Sequence, residues 1–508
     1  MNDVRDRGFI DVHTVFGPDH GTVQVSGAPL SDLVAETQRH GVRMALASSL
    51  LAAQADLATG NRQAVEAAAD PANHLAAIAV VTAKQPGSAV GVVKAAEAAG
   101  VAGYRLDGGV WPFPTPEAVL EVLRAVAGTG KPLLVPLTSV GGAMGFGDAT
   151  AIGAATERIG IPVILLGAHY IHVADDLRAA VRYPHLHLET SALAHWRGVE
   201  TAVATIGAER LLLGTGSPRR PGASAIDVVL LARIPDAAKR AILGGNAARL
   251  FALPLPSVDL TPPALPARSW DAHTHHGPFL FDVPQVADAD LVGELLTGAT
   301  SQAVASSAVG IFAAPADGNA QAVAAAANGG PLGYVVADPH DLAATEDQLR
   351  RHLGRPGMVG VKVHGEWSQL PTSSPRMAAL FDLLARFGRP VKIHNTGEDW
   401  AEALEAIARR HPKLPIVIAH AGLGTPSVRA GELARGTDNI HLELCSSFAS
   451  VREVRAAVRA APVERLLWGS DAPLLDPGFI YGTYEDALLP PDALDRVFWS
   501  NAEALYGG

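Results

Sequence analysis

Five side chains in the C-terminal half of the chain have the types and spacing to hold a divalent ion. The run Asp271-Ala272-His273-Thr274-His275 places two imidazoles two residues apart. On a strand such residues point to one side, so His273 and His275 can bind one ion. Three further apolar runs each end in a ligand type: PVKIHNTG in His394, PIVIAHAG in His420 and LLWGSDAP in Asp471. Three or four imidazoles with one carboxylate make a borderline donor set, suited to Zn²⁺ first, with Mn²⁺ or Fe²⁺ as alternatives. An ion there lowers the pKa of a water towards neutrality, and Asp471 is placed to take its proton. His420 either completes a second ion site or transfers protons. One histidine near a strand end is usually a hydrogen-bonded structural residue; the joint occurrence at four strand ends carries the metal reading.

Several neighbours of these residues call for separate readings. Lys362 and His364 in GVKVH share parity and both can face an interior. Lys362 reads as an interior cation that orients a substrate carboxylate or pairs with an acid. His364, Glu366 and Trp367 are expected to line a substrate pocket, although capping the core is the commoner fate of a tryptophan. His276 has the wrong parity for the site and is expected behind it or exposed. Cys445 reads as a small buried hydrophobe, with no base poised to activate it.

The elements that position these residues emerge when the sequence is compared with itself. FIDVHTVFGP (9–18) returns as SWDAHTHHGP (269–278), and GNRQAVEAAAD (60–70) as GNAQAVAAAAN (318–328). RLLLGTGSP (210–218) returns as RLLWGSDAP (465–473), and GGNAARLF (244–251) as WSNAEALY (499–506). The order is kept throughout, so the chain is a tandem duplication. A segment at 253–268 with prolines at 254, 256, 262, 263 and 266 reads as an extended, semi-rigid linker. The expected domains are 1–252 and 269–508. In each copy, short β-branched runs alternate with helical stretches. The expected strand ends are near Thr14, Ser49, Thr82, Asp107, Thr138, Ala168, Ser191 and Gly216 in the first copy. In the second they are near His275, Ser307, Asp338, His364, Thr396, Ala421, Ser446 and Asp471. Eight strand–helix units per copy predict two fused (β/α)₈ barrels, with polar strand ends gathered at the C-terminal face. A doubly wound sheet is disfavoured, because no Gly-rich phosphate loop follows either first strand. Asn246 and Asn501 are expected to cap the closing helices.

The motifs DxHTH, GVKVH, PVKIHNTG, VIAHAG, LLWGSDAP and SNAEALY resemble the amidohydrolase superfamily across 269–508, and within it the amidohydrolase-2-type metal-dependent hydrolases. That group includes a pyrone-dicarboxylate lactonase and non-oxidative decarboxylases. The resemblance implies that His273, His275, His394 and Asp471 hold a catalytic metal and that His420 transfers protons or binds a second ion. In binuclear members a carboxylated strand-four lysine bridges two ions, a role the resemblance would give to Lys362. The expected activity is hydrolysis of an amide, lactone or cyclic imide. The alternatives are metal-dependent decarboxylation of a small carboxylic acid, or a silent binding or scaffold protein.

The first copy departs from this pattern. His13 survives, but Val15, Pro136, Gly167 and Gly216 stand where the ligands would be, and Arg105 stands for Lys362. One imidazole cannot hold a catalytic ion, so this barrel is expected to bind no metal. Its Asp11, His13, Arg105, Asp107 and His169 read as remnants tied up in hydrogen bonds, with a ligand pocket as the alternative. Barrels of this family often pair, so the first copy is expected to act as the partner in an internal pseudo-dimer, with Arg219 and Arg220 reaching the shared interface. With 508 residues, net charge −11, 48% hydrophobic and 18% charged residues, the chain is globular and acidic. That balance argues against nucleic acid or an anionic membrane as partner and leaves a small-molecule substrate. A single cysteine excludes a disulfide framework. No apolar run is long enough for a membrane span, and the charged N-terminus lacks a signal peptide's apolar run, so a cytoplasmic location is expected. The loops after strands two, three and seven of the second copy are short and mostly nonpolar, which favours a modest, partly apolar substrate.

Overall fold

The computed structural model describes residues 6–18, 28–83, 87–106, 116–137, 148–279, 288–296 and 300–507. It divides into two compact units, Met1–Pro263 and Ala264–Gly508. The first holds β1 (Phe9–Phe16), β2 (Val42–Ser49), β3 (Leu75–Val81), β4 (Gly103–Leu106), β5 (Leu133–Pro136), β6 (Val163–Leu166), β7 (Leu186–Glu189) and β8 (Leu211–Leu212). The second holds β9 (Arg268–His276), β10 (Thr300–Ser307), β11 (Leu332–Val336), β12 (Met358–His364), β13 (Val391–His394), β14 (Ile416–Ile418), β15 (Ile440–Glu443) and β16 (Leu466–Leu467). In each unit every strand pairs in parallel with the next in sequence. The sheets close on themselves. Val12 N–H donates to Leu213 O (2.9 Å) and Gly216 N–H to His13 O (2.8 Å); in the second unit Ala272 N–H donates to Trp468 O (3.0 Å) and Asp471 N–H to His273 O (2.7 Å). With helices in the crossovers, these are two (β/α)₈ barrels. The strand ends expected at Asp107 and Thr138 lie outside the described residues.

The strands read as apolar runs because both faces are covered, one by the barrel interior and one by helices. The helices carry the complementary stripe: in Val451–Ala460 (VREVRAAVRA), Val451, Val454 and Ala457 are buried at helical spacing while arginines take the outer face. Asn246 and Asn501 do not cap the closing helices. Each lies within a continuous helical run, and its amide donates backwards instead: Asn246 to Ala208 O (2.7 Å) and Leu211 O (2.8 Å), Asn501 to Val463 O and Leu466 O (both 2.8 Å). Each thus ties the last helix to the turn that launches the eighth strand.

The two floors, at the N-terminal ends of the strands, are filled differently. In the second barrel Trp270 packs edge-on against Trp499 at 5.4 Å, and Tyr334 donates to Ala272 O (3.1 Å) beside Tyr506. In the first, Ile10, Ile78 and Phe251 belong to the core cluster at this end, and the Pro-rich segment packs against Gly8 and Gly244. A Cβ on Gly244 would lie 2.9 Å from Pro256 Cγ, and one on Gly8 2.1 Å from Ser257 O. Asp259 N–H donates to Arg7 O (2.8 Å) and Arg240 to Val258 O (2.6 Å). Over 256–261 the segment read as an extended, semi-rigid linker is packed on the first barrel.

Candidate metal centre

The closure of β9 onto the chain after β16 brings the first and last candidate ligands together. His275 N–H donates to Ala472 O and Asp471 N–H to His273 O, both at 2.7 Å. His275 Nε2 then lies 2.9 Å and His273 Nε2 3.5 Å from Asp471 Oδ1. All three residues are buried, and their ligand atoms lie within 4.8 Å of one another. Burial raises the Asp471 carboxyl, but the imidazoles facing it, His273 first, outweigh that and hold it below the usual carboxylate range.

The ring orientations follow from residues that sequence reasoning missed. Glu443, at the end of β15, is fully buried, and its Oε1 lies 2.7 Å from His273 Nδ1. An ionised carboxylate only accepts, so His273 carries its proton on Nδ1 and turns the Nε2 lone pair towards Asp471. Glu443 also accepts from His420 N–H (2.7 Å) and Cys445 N–H (2.9 Å), and the buried Lys392 ammonium lies 3.5 Å away. These partners overcome the burial and hold Glu443 ionised. Ser306 Oγ lies 3.1 Å from His275 Nδ1 and orients the second imidazole, as a hydroxyl that can donate or accept. The missing signal was in the repeat: HLETS (187–191) and HLELCS (441–446) keep the glutamate in both copies, and Lys392 precedes His394 by two residues on the same face.

The remaining candidates surround this trio. His394 ends β13; its Nε2 lies 3.1 Å from Glu366 Oε2, its ring stacks on His364 at 4.3 Å, and it meets His420 at 4.8 Å between centroids. His364 Nδ1 accepts from Trp367 N–H (3.2 Å), so it orders the turn carrying Glu366 and Trp367 and stands behind His394. Trp367 is 44% exposed and forms an edge-to-face aromatic wall with Phe312 and Phe279, which reaches His275. Lys362 is buried with Nζ 3.3 Å from His273 Nε2; burial, then the neighbouring Lys392, pushes its ammonium down to about 8. His276 is buried rather than exposed. Cys445 Sγ lies 3.5 Å from His273 Nδ1 and 3.4 Å from His420 Nδ1. His273, His420, Glu443 and Cys445 form a second group with ligand atoms close together. Its Glu443 is already saturated by N–H donors, and burial raises the thiol well above its usual range, so these residues orient the site.

Two of the site's polar residues adopt a left-handed backbone that side chains disfavour, His420 (φ +59°, followed by Ala421 at +46°) and Asp471 (φ +65°). His420 Nδ1 donates to Cys445 O (2.8 Å), which leaves Nε2 as its acceptor. Backbone strain at two adjoining polar residues is a feature of functional sites.

The first barrel keeps the frame without the trio. Asp11 Oδ1 accepts from His13 N–H and Thr215 N–H (both 3.0 Å), as Asp271 does from His273 N–H (2.9 Å) and Ser470 N–H (3.1 Å). Glu189 accepts from Gly167 N–H (2.7 Å) and Ser191 N–H (2.6 Å), with His13 Nδ1 at 3.3 Å. Leu134 takes the place of Lys392. The stem of Arg220 lies over Gly216, its Nη1 donates to Ser191 O (3.2 Å), and Glu189 faces its charge. Asp107 lies outside the described residues.

Among the described residues no helix is long and apolar enough to cross a membrane. No curated protein matches the chain. The solved 5-carboxyvanillate decarboxylase of Sphingomonas paucimobilis is 15% identical with a TM-score of 0.37, matching 50% of this chain and 100% of its own. A protein of Acinetobacter baumannii described as a probable 2-pyrone-4,6-dicarboxylic acid hydrolase gives 15% and 0.37, over 48% of this chain and 100% of its own. A dihydroxybenzoic acid decarboxylase of Polaromonas, solved with manganese and 2-nitroresorcinol, gives 15% and 0.36, over 47% and 97%. The amidohydrolase family model matches residues 11–253 and again 270–508. In both of its halves, the chain belongs to the amidohydrolase family.

Proposed function

We propose that the C-terminal barrel is a metal-dependent hydrolase of a small amide, lactone or cyclic imide, with His273, His275, His394 and Asp471 as ligands of one divalent ion. The observation that carries this reading is the convergence of two imidazole Nε2 atoms on the Asp471 carboxylate, with His273 fixed by Glu443. The trio's two neutral nitrogens and one anionic oxygen, with the His394 imidazole as a third nitrogen donor, suit Zn²⁺, with Mn²⁺ or Fe²⁺ as alternatives. When bound, the ion supplies Lewis-acid polarisation and a lowered water pKa. Asp471 takes the proton of the attacking water, and His420 moves a proton through Nε2 at the leaving atom. The wall of Phe279, Phe312 and Trp367 packs against an apolar face of the substrate, while Glu366 holds His394. The first barrel, without the trio, binds no catalytic ion.

Lys362 favours a second reading. A buried cation beside His273 is where a departing carboxylate would be held in a non-oxidative decarboxylase. Elemental analysis followed by product analysis on a panel of lactones, cyclic imides and aromatic carboxylates separates the readings. About one equivalent of metal with ring opening supports the hydrolase, and CO₂ release replaces it with the decarboxylase. No metal after reconstitution overturns both and leaves a binding protein.

A further inference from the structure

Large apolar side chains stand exposed around the candidate metal centre of the second barrel. Trp367, Leu423 and Phe448 are 44%, 45% and 42% exposed, and they follow the ends of β12, β14 and β15. Apolar surface left in water beside a polar centre is the informative kind of exposure. Trp367 is also held in place. Its Nε1–H donates to Phe312 O (3.0 Å) and its backbone N–H to His364 Nδ1 (3.2 Å). Its ring meets Phe312 at 4.7 Å, Phe312 meets Phe279 at 6.0 Å, and Phe279 meets His275 at 5.6 Å, each edge to face. The indole N–H is spent within the protein, so the side chain offers a ligand only its ring surface. That surface is the outer end of an aromatic chain that reaches a candidate metal ligand.

The charge of the loops points the same way. From strand end to the principal helix that follows, they are 277–287, 308–314, 337–341, 365–374, 395–399, 419–427, 444–450 and 468–476. Their sequences, including 280–287 outside the described residues, hold no lysine or arginine. They hold acids instead, among them Asp338, Glu366, Glu398 and Asp399. Arg376 and Arg429, in the first turns of the helices beyond, donate to His340 O (3.1 Å) and pair with Glu402 (2.9 Å). The interior cations sit at the reacting end: Lys362 lies beside His273, and Lys392 donates to Ala272 O (2.9 Å) near Glu443. In the eighth loop, Leu474 and Leu475 stand where the first copy has Arg219 and Arg220. A carboxylate on the body of a substrate, away from the reacting carbonyl, would lose water and find acids rather than a cation in these loops, which costs affinity.

We propose that the second barrel selects an uncharged substrate whose lactone or cyclic imide is fused to an aromatic ring, with Trp367 as the residue that recognises the ring. This selectivity rests on the hydrolase reading of the same site and narrows it to one substrate class.

Steady-state kinetics of the full-length, metal-loaded chain test it on two matched sets. One is phthalimide, its ring-carboxylated derivative and succinimide; the other is dihydrocoumarin, its ring-carboxylated derivative and δ-valerolactone. In wild type each carboxylated compound should fall about tenfold below its uncharged parent in kcat/KM. Trp367→Leu should raise KM for the two fused parents about tenfold, with bound metal unchanged, and move KM for the two ring-less compounds far less. Trp367→Phe, which keeps a ring, should recover most of that loss. Phe312→Leu keeps the backbone acceptor of the indole and should shift KM in the same sense, so a folding defect in Trp367→Leu does not blind the test. Equal kcat/KM for carboxylated and parent compounds, or KM rising alike for fused and ring-less ones, overturns the proposal and leaves the hydrolase reading standing. Turnover of no compound overturns that reading instead. Calorimetric affinities of the same compounds for the same variants then decide the proposal by the same comparisons, and absence of binding overturns it.

Discussion

The two barrels share a polar frame and differ in what the frame holds. Asp11 and Asp271 each pin the first strand to the residue after the eighth, while Glu189 and Glu443 pin the ends of strands six and seven through backbone N–H groups. Burial pushes both aspartates up to about 7 in spite of those donors, so the frame carries a desolvation cost in either copy. A carboxylate that receives several N–H donors at a barrel mouth helps close the barrel, with or without an ion. The survival of Asp11, His13 and Glu189 is therefore no sign of chemistry in the first barrel. The side chains that differ include those proposed to serve the ion or the reaction: the second strand-one imidazole, the strand-five and strand-six imidazoles and the strand-eight carboxylate.

The sharpest way to break this contrast is metal content. A His273→Ala/His394→Ala double variant is expected to lose the bound equivalent completely, and His13→Ala to lose none. Metal retained by the first, or lost by the second, would place the ion elsewhere. Next in size is the frame itself. Glu443→Gln replaces the anionic acceptor that fixes His273 with a neutral amide and leaves Lys392 without its counter-charge, so metal affinity should fall about 10- to 100-fold. Glu189→Gln should leave metal affinity unmoved. Adding Lys392→Leu, the residue of the first barrel, to Glu443→Gln should recover stability but not metal affinity, because a buried cation without counter-charge is relieved while His273 still lacks its anionic partner. If both recover, Glu443 acts only as a counter-ion.

Much of this was legible before the fold was known. Repeats, strand ends and the His/Asp constellation follow from patterning, because parallel barrel strands are buried on both faces and end in polar residues at one face. Glu443 was not, because a lone glutamate in HLELCS has no ligand spacing, and only closure of the barrel brings it 2.7 Å from a histidine 170 residues away. His394 shows the converse limit. Its strand-end position predicts a ligand, yet its rotamer, stacked on His364 and bonded to Glu366, is set by a neighbouring turn. The cap expected at Asn246 and Asn501 failed because a preceding helical run supplies the backbone acceptors and frees the amides for a tertiary role.

A smaller effect tests what the barrels have in common. His187 on β7 and His441 on β15 occupy matching positions, and burial pushes each down to about 4. Both are neutral in the fold and take up protons first in the unfolded chain. Their contribution is fully present above pH 6.5 and is lost as pH falls from there towards 4, by at most about 3 kcal/mol each. His187→Gln and His441→Gln should each flatten the acid limb of a denaturation-against-pH profile. His441 should show the larger change, since its Nδ1 has no hydrogen-bond partner among the described residues while His187 Nδ1 donates to His185 O at 3.1 Å. Equal slopes in variants and wild type would mean that neither ring is kept neutral.

The smallest expected effect concerns strain. His420 and Asp471 sit at φ +59° and +65°, and their counterparts in the first barrel, Gly167 and Gly216, sit at +83° and +70°. The left-handed turns are therefore a property of the fold, and only the second barrel bears the cost of a side chain there, about 1–2 kcal/mol per residue. Gly167→Ala isolates that cost, because a Cβ at this position touches nothing within 4 Å among the described residues. It should lower stability by about 1 kcal/mol, a few degrees in Tm, through backbone conformation alone. His420→Gly should change stability little, since relief of the strained backbone offsets the lost Nδ1–Cys445 O bond of about 1 kcal/mol. The same variant should abolish proton transfer in the reaction. A neutral Gly167→Ala would mean that the turn accepts a side chain freely, and the glycines of the first barrel would then record drift rather than relaxation of a strain that function alone maintains.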